Sequence, residues 1–214
     1  MISVLIADDH AIVREGLKQI VAQTNDIKVV GEATLAAEVL PKVAQTKPDL
    51  LLLDISMPGR SGLDVLIEMG REHPSVPVLI LSLHTEDQYA LRTLKTGAAG
   101  YLTKESAPDQ LIAAIRKVAS GGRYLSTSLA ERLAMNLISD KSANPHEILS
   151  NREFQVFRMI ALGKTVTQIA EELMLSVKTI STNRTRILEK MNMKNNAEIT
   201  QYALQHDLIE LGRR

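Results

Sequence analysis

Along the first 120 residues the apolar and polar positions follow two rhythms in alternation. Short continuous apolar runs stand at 3–7 (SVLIA), 27–32 (IKVVGE), 50–54 (LLLLD), 76–82 (VPVLILS) and 99–103 (AGYLT). Strands buried on both faces read as continuous runs of this kind. Between them, 11–23, 35–46, 62–73, 86–97 and 107–120 repeat their apolar positions at helical spacing. Five β–α alternations predict an α/β fold, a five-stranded doubly wound parallel sheet with helices on both faces. Pro41 falls inside the second helical pattern and is expected to shorten or kink that helix.

The rhythm then changes. Gly121-Gly122 ends the last helical pattern, SLAERLAMNLI (128–138) has the spacing of one helix, and SDKSANPHE (139–147) is polar and turn-rich. From residue 150 onward only helical patterns remain, at 151–163, 165–175, 177–193 and 196–209. The expected organisation is an α/β domain at 1–120, a linker with one helix at 121–147, and a small all-α four-helix domain at 148–214.

Composition adds exclusions. With 45% apolar and 23% charged residues among 214, the chain is expected to pack rather than stay disordered. It has no cysteine, which excludes a disulfide framework and any thiolate metal site and fits a reducing compartment. MISVLIADDH has no basic n-region and no long apolar stretch, and no run approaches a membrane span, so a soluble cytoplasmic protein is expected. The net charge of zero conceals an asymmetry. Residues 1–149 carry 15 Lys+Arg against 18 Asp+Glu, whereas 150–214 carry 10 against 7. The basic excess lies in the helical part.

In a doubly wound sheet, ligands bind beyond the carboxyl ends of the strands. Those ends carry Asp8-Asp9, Asp54, Ser82 and Lys104. Converging carboxylates raise one another's pKa, and a hard divalent cation such as Mg²⁺ relieves this. Lys104 brings a compact positive charge that suits a phosphoryl oxygen, and Ser82 a hydroxyl. A cation, an ammonium and a hydroxyl around one carboxylate stabilise phosphoryl transfer onto it. A lone acid after a strand is most often a helix cap or turn residue. Five such positions at four strand ends make the set, not any single member, the signal. The five histidines show no ligand spacing and read as ordinary surface or partly buried residues.

With ADDH (7–10), DISMPGRSG (54–62), LILS (79–82) and GYLTK (100–104), residues 1–120 resemble the receiver domain of two-component response regulators. The resemblance implies that Asp54 is the phosphoacceptor, and that Asp9, Asp54 and the Ser56 backbone carbonyl hold Mg²⁺, with Asp8 acting through water. It implies that Lys104 contacts the phosphoryl group. Ser82 and Tyr101 form the switch pair, the hydroxyl moving toward the phosphoryl group while the ring packs inward. Ser56 and His84 stand where this family tunes dephosphorylation, and Leu83 stands where it often has alanine.

In the helical part, 165–175 and 177–191 are two helices joined by a short turn near Leu175-Ser176, the outline of a helix-turn-helix. Ser176 is a suitable N-cap for the second helix. On a helical wheel Val177, Ile180, Ile187, Leu188 and Met191 share one face, while Lys178, Ser181, Thr182, Thr185, Arg186 and Glu189 lie toward the other. Hydroxyls there can meet base edges, and Lys or Arg phosphates and guanines. Arg184 falls among the apolar positions and is expected to snorkel toward a phosphate. With LSNRE (149–153), IALGKTVTQIAEELMLSVKTIS (160–181) and ILEKMNM (187–193), residues 148–210 resemble the NarL/LuxR-type DNA-binding domain. The resemblance implies that 177–191 enters the major groove and that 196–206 pairs two copies on DNA. Its contact set is Lys178, Thr179, Ser181, Thr182, Arg184, Thr185, Arg186 and Lys190. Asn183 stands where the family often has His or Tyr.

Together these features predict a transcription regulator rather than an enzyme. A sensor histidine kinase phosphorylates Asp54, and a homodimer then binds paired half-sites in double-stranded DNA. Two other classes compete. A Mg²⁺-dependent phosphohydrolase with an aspartyl nucleophile needs a second acid two residues on, where Ser56 stands. A receiver signalling only through protein contacts would show no affinity for DNA.

Overall fold

The computed structural model describes residues 1–57, 62–82, 86–127, 129–131, 145–206 and 208–209. Five strands, β1 (Ile2–Ala7), β2 (Ile27–Ala33), β3 (Leu50–Asp54), β4 (Val78–Ser82) and β5 (Gly100–Thr103), form one parallel sheet in the order β2-β1-β3-β4-β5. Helices α1 (Ala11–Ala22), α2 (Ala36–Thr46), α3 (Gly62–Glu72), α4 (Glu86–Thr96) and α5 (Pro108–Ala119) connect them. All five strands and all five helices fall on the expected segments, with ends shifted by one or two residues.

The leucine run explains the sheet. Leu50, Leu51, Leu52 and Leu53 are all fully buried. Side chains alternate across a strand, so such a run serves two cores. Leu50 and Leu52 join Val4, Ile6, Leu17, Leu111 and Ile115 on the face covered by α1 and α5. Each such burial contributes about 1.5–3 kcal/mol. Pro41 does not shorten α2, which runs unbroken from Ala36 to Thr46. The shortening is avoided where Pro41 and Ala37 are both exposed. The proline ring meets water, and the one carbonyl left without a helical partner can be hydrated. Val39 and Val43 stay buried on the opposite side.

The chain after α5 returns to the sheet. Tyr124 bridges to Gly100, its amide donating to the Ala99 carbonyl at 3.0 Å. This covers the outer side of β5. The first compact unit runs Met1–Ser139 and the second Asp140–Arg214. Of the helix expected at 128–138, residues 129–131 are helical, with Ser126 Oγ accepting from the Leu129 amide at 3.2 Å; the rest, 128 and 132–138, lies outside the described residues.

The second unit opens with a 3₁₀ turn, Pro145–Ile148, followed by α6 (Asn151–Ala161), α7 (Val166–Glu172), α8 (Val177–Lys190) and α9 (Asn196–Gln205). Each α-helix starts on a side-chain cap, at Ser150, Thr165, Ser176 and Asn195. Ser150 with Glu153 and Thr165 with Gln168 form reciprocal capping boxes. Phe154, Phe157, Ile169, Ile180, Ile187 and Ile199 are buried and form the core of this unit. The turn between α7 and α8 is a left-handed helix stop. Met174 has φ +52°, and the Leu175 amide reaches back to the Ala170 carbonyl at 2.8 Å.

Two stability predictions follow from the backbone. A Cβ at Gly62 would lie 2.5 Å from the Asp54 carbonyl oxygen and 2.7 Å from Ile55 Cα. Gly62→Ala should therefore cost about 1–3 kcal/mol in urea unfolding of the full chain, and wild-type stability would refute this close approach. Met174→Gly removes the Cβ penalty of the left-handed conformation and should raise stability by roughly 1 kcal/mol. A loss in the same measurement would refute it.

Candidate functional site

Strand register assembles the acidic crevice. Ala7 pairs with Leu53, so Asp8 and Asp54 come next, side by side, on β1 and β3. Ser82 pairs with Thr103, and the Lys104 amide donates to the Ser82 carbonyl at 2.8 Å, which brings β4 and β5 to the same edge. Residues that are 22 to 96 positions apart in sequence thereby meet at adjoining strand ends.

Asp8 and Asp54 are each about 1% exposed. Lys104 Nζ lies 2.6 Å from Asp8 Oδ2 and 2.8 Å from Asp54 Oδ2, its side chain only 4% exposed. Burial pushes the Asp54 carboxyl above its ordinary range, against the pull of Lys104. Burial alone would lower Lys104; the charge of Asp54 and the bonds to both carboxylates outweigh it and hold the ammonium above its usual value. Two buried carboxylates thus share one ammonium, and the crevice is short of positive charge. Asp9 stands at the rim, 27% exposed. The Ser56 amide donates to Asp54 Oδ1 at 2.9 Å. Ser82 and Tyr101 are both fully buried, so the tyrosine ring is packed inside the domain. Residues 83–85, with Leu83 and His84, lie outside the described residues.

A cation fits these donors. Asp8, Asp9, His10 and Asp54 each offer a ligand atom, all within 4.8 Å of one another. Asp8 Oδ2 and Asp9 Oδ1 are buried and receive no aligned hydrogen bond, although Lys104 Nζ stands close to the first. Among the described residues this is the one group of three or more acidic, His or Cys side chains placed to hold a metal.

Two residues of the crevice escaped the sequence reading. His10 was expected to be an ordinary surface or partly buried residue without ligand spacing; its Nδ1 lies 3.3 Å from Asp8 Oδ1 and 3.0 Å from Asp9 Oδ1. Arg14 donates through Nη1 to the Asp8 carbonyl at 2.9 Å and through Nε to Glu32 at 3.1 Å, fixing the backbone that carries the acids. The available signal was their spacing: His10 is the N-cap of α1 and Arg14 lies one turn on, on the same side.

In the helical unit, Lys178, Thr179, Ser181, Thr182, Thr185 and Arg186 all lie exposed on α8, while Ile180, Ile187 and Met191 are buried. Val177 departs from the wheel at 49% exposure. Thr182 Oγ1 donates to the Lys178 carbonyl at 3.0 Å and Thr185 Oγ1 to the Ser181 carbonyl at 3.1 Å. Their hydroxyl protons are engaged, so they present methyl groups and acceptor lone pairs outward. Two other members of the expected contact set also make contacts within the unit. Arg184 does not point freely outward: its Nε donates to Asn196 Oδ1 at 2.7 Å, tying α8 to the first residue of α9. Lys190 Nζ sits 2.6 Å from Oε2 of the buried Glu153, the capping acid of α6.

The comparisons agree with this geometry. Residues 4–116 match the family model of the response regulator receiver domain, and residues 147–203 that of bacterial regulatory proteins of the luxR family. The response regulator UvrY of Escherichia coli K12 is 38% identical over 209 residues, covering 97% of this chain and 96% of that protein. The response regulator GacA of Pseudomonas syringae pv. syringae B728a is 38% identical over 211 residues, covering 98% and 99%. Among solved structures, RcsB from Salmonella enterica serovar Typhimurium, bound to promoter rprA in the presence of phosphomimetic BeF₃⁻, matches with a TM-score of 0.66 and 27% identity over 94% of this chain and 98% of that one. The chain therefore belongs to the LuxR-type response regulators, DNA-binding transcription regulators in which a receiver domain precedes a helix-turn-helix domain.

Proposed function

We propose that a sensor histidine kinase passes a phosphoryl group to Asp54, and that this charge change switches dimerisation and DNA binding by the C-terminal unit. The observation that carries the proposal is the buried Asp8–Lys104–Asp54 arrangement at the carboxyl ends of the strands. An Asp54 carboxylate oxygen attacks phosphorus. The new O–P bond forms as the P–N bond to the kinase imidazole breaks, and the imidazole leaves with the electron pair and takes up a proton. Asp8, Asp9, Asp54 and the Ser56 carbonyl would hold Mg²⁺. When bound, the ion supplies positive charge to the phosphoryl oxygens. Lys104 neutralises one phosphoryl oxygen, and the Ser82 hydroxyl donates to another. Tyr101 follows Ser82, its ring filling the space behind the hydroxyl. The receiver assists only its own phosphorylation and dephosphorylation, and the protein works in the cytoplasm, where kinase and DNA meet.

Phosphorylation replaces the single carboxylate charge of Asp54 by a phosphoryl group that carries up to two, so a site already short of positive charge gains about one more negative charge. The repositioning of Lys104 and Ser82 that answers it biases the α4–β5–α5 surface between two arrangements. Two copies then pair through α9 (Asn196–Gln205) and place two α8 helices on paired half-sites. The RcsB structure bound to a promoter with a phosphomimetic supports this reading by analogy. On α8, Lys178 and Arg186 meet phosphates or guanines; Thr179, Ser181, Thr182 and Thr185 line the groove. Arg184 and Lys190 contribute by holding α8 in place through Asn196 and Glu153.

Two experiments test the proposal. Incubated with a small phosphodonor and Mg²⁺, wild type should incorporate label and Asp54→Asn should not; equal labelling of the two would refute Asp54 as acceptor. In gel shifts, Thr182→Ala and Thr185→Ala should alter preference among DNA sequences by about 1 kcal/mol per affected base. Lys178→Ala should weaken binding to every sequence and reduce the salt slope by about 1. Uniform effects of all three on every sequence would rule out base reading by the threonines.

A further inference from the structure

The histidine beside the two acids is unusual in what it leaves undone. His10 occupies the N-cap of α1, where a Ser, Thr, Asp or Asn side chain would stabilise the helix by about 0.5–2 kcal/mol. Its ring makes no capping bond. Instead the His10 amide donates to Asp8 Oδ1 at 2.8 Å, and the ring turns Nδ1 toward the carboxylates of both Asp8 and Asp9.

The spacing resembles that of adjacent ligands on an ion. For metal–ligand bonds of about 2.1 Å, ligands at right angles lie about 3.0 Å apart and opposite ligands about 4.2 Å apart. His10 Nδ1 is 3.0 Å from Asp9 Oδ1 and 3.3 Å from Asp8 Oδ1, and the ligand atoms of the whole group lie within 4.8 Å. A single proton on Nδ1 can serve one of these oxygens well, not both. The Asp9 oxygen it faces is buried and receives no hydrogen bond. Asp8, only 1% exposed, stands beside it with its Oδ2 already 2.6 Å from Lys104 Nζ, which leaves the Asp9 oxygen as the one His10 faces without a bond. The His10 side chain is 51% exposed, which leaves it room to swing by the few tenths of an ångström that ligation needs.

We propose that His10 is a nitrogen ligand of this crevice, which makes it a site for a first-row transition dication of the Mn²⁺, Co²⁺ or Ni²⁺ class in competition with Mg²⁺. The proposal rests on the reading of Asp8, Asp9 and Asp54 as metal ligands. Three carboxylates alone form an all-oxygen set that suits Mg²⁺. An imidazole added to them shifts preference toward ions that bind nitrogen, in the order Mn²⁺, Co²⁺, Ni²⁺ of rising affinity. The metal that occupies the crevice then becomes a variable that acts on Asp54 directly.

The test uses the untagged full-length chain and two readouts. Calorimetric titration gives the affinities for Ni²⁺ and Mg²⁺, and pulsed EPR of bound Mn²⁺ reports a directly coordinated imidazole ¹⁴N. Wild type should prefer Ni²⁺ and show the nitrogen coupling. His10→Ser keeps a good N-cap and should fold at least as well, yet lose the nitrogen coupling and at least about tenfold of the Ni²⁺-over-Mg²⁺ preference, since even outer-shell partners are worth 10–100-fold. Asp9→Asn should weaken both ions, which separates this site from the other histidines. Mg²⁺ binding by wild type with no nitrogen coupling to Mn²⁺, or an unchanged preference in His10→Ser, overturns the role of His10 alone. A wild type that binds neither ion overturns this inference and the acidic metal site together.

Discussion

The receiver unit is organised around an unbalanced charge. Asp8 and Asp54 stand at the edge of the core with Lys104 Nζ between their Oδ2 atoms. One ammonium cannot neutralise two buried carboxylates, and burial holds the Asp54 carboxyl above its ordinary range despite the pull of Lys104. A core of leucines would ordinarily exclude such a group. Here the sheet tolerates it because the carboxylates leave at the strand ends, where an added cation or an incoming phosphoryl group with its counter-charge can reach them. The deficit makes the site responsive: any change in charge at Asp54 must be met by Lys104 and its neighbours. A balanced, fully paired site would have less reason to move.

The fold supplies precision to that arrangement through register. Parallel pairing of β1, β3, β4 and β5 sets Asp8 beside Asp54, with Ser82 one residue and Lys104 two residues further along at the same edge. Gly62 continues the same logic, since the chain returns so close to the Asp54 carbonyl that no side chain fits there. Arg14 adds a brace from α1 to the Asp8 carbonyl. These contacts are made in or directly beside regular elements, and their rigidity is what lets a change of charge become a displacement rather than be absorbed locally.

The strands and helices were legible in the chain because their periodicities are strong, and the acids were legible because they end apolar runs. What could not be read was side-chain direction. His10 sits in a motif with Asp8 and Asp9, yet only the turn of its ring at the N-cap shows that it faces them. Arg184 looked like a misplaced charge on an apolar face, and its reason is a residue twelve positions away, Asn196. Lys190 looked like one more basic residue of a DNA-binding helix, and its partner Glu153 is 37 positions upstream. Pro41 misled for a similar reason: its cost depends on whether the carbonyl it strands is wet, and composition does not say which side of α2 faces water. Pairings of this kind depend on tertiary packing, which local pattern does not encode.

The same division of labour appears on α8. Helices this short are marginal alone and depend on caps and packing. Ser176 caps its start, Ile180 and Ile187 bury one face, and Arg184 and Lys190 tie it to α9 and α6. Two of its cations, Arg184 and Lys190, also hold the helix, and the exposed cations along it are Lys178, Arg186 and Lys190. With so few, nonspecific attraction to a phosphate backbone is weak for a single copy. Pairing two copies doubles the charge on the DNA and, through effective concentration, strengthens binding far more than twofold. In the function proposed above, a weakly charged α8 would make occupancy depend steeply on dimerisation, the step that phosphorylation of the receiver is proposed to control.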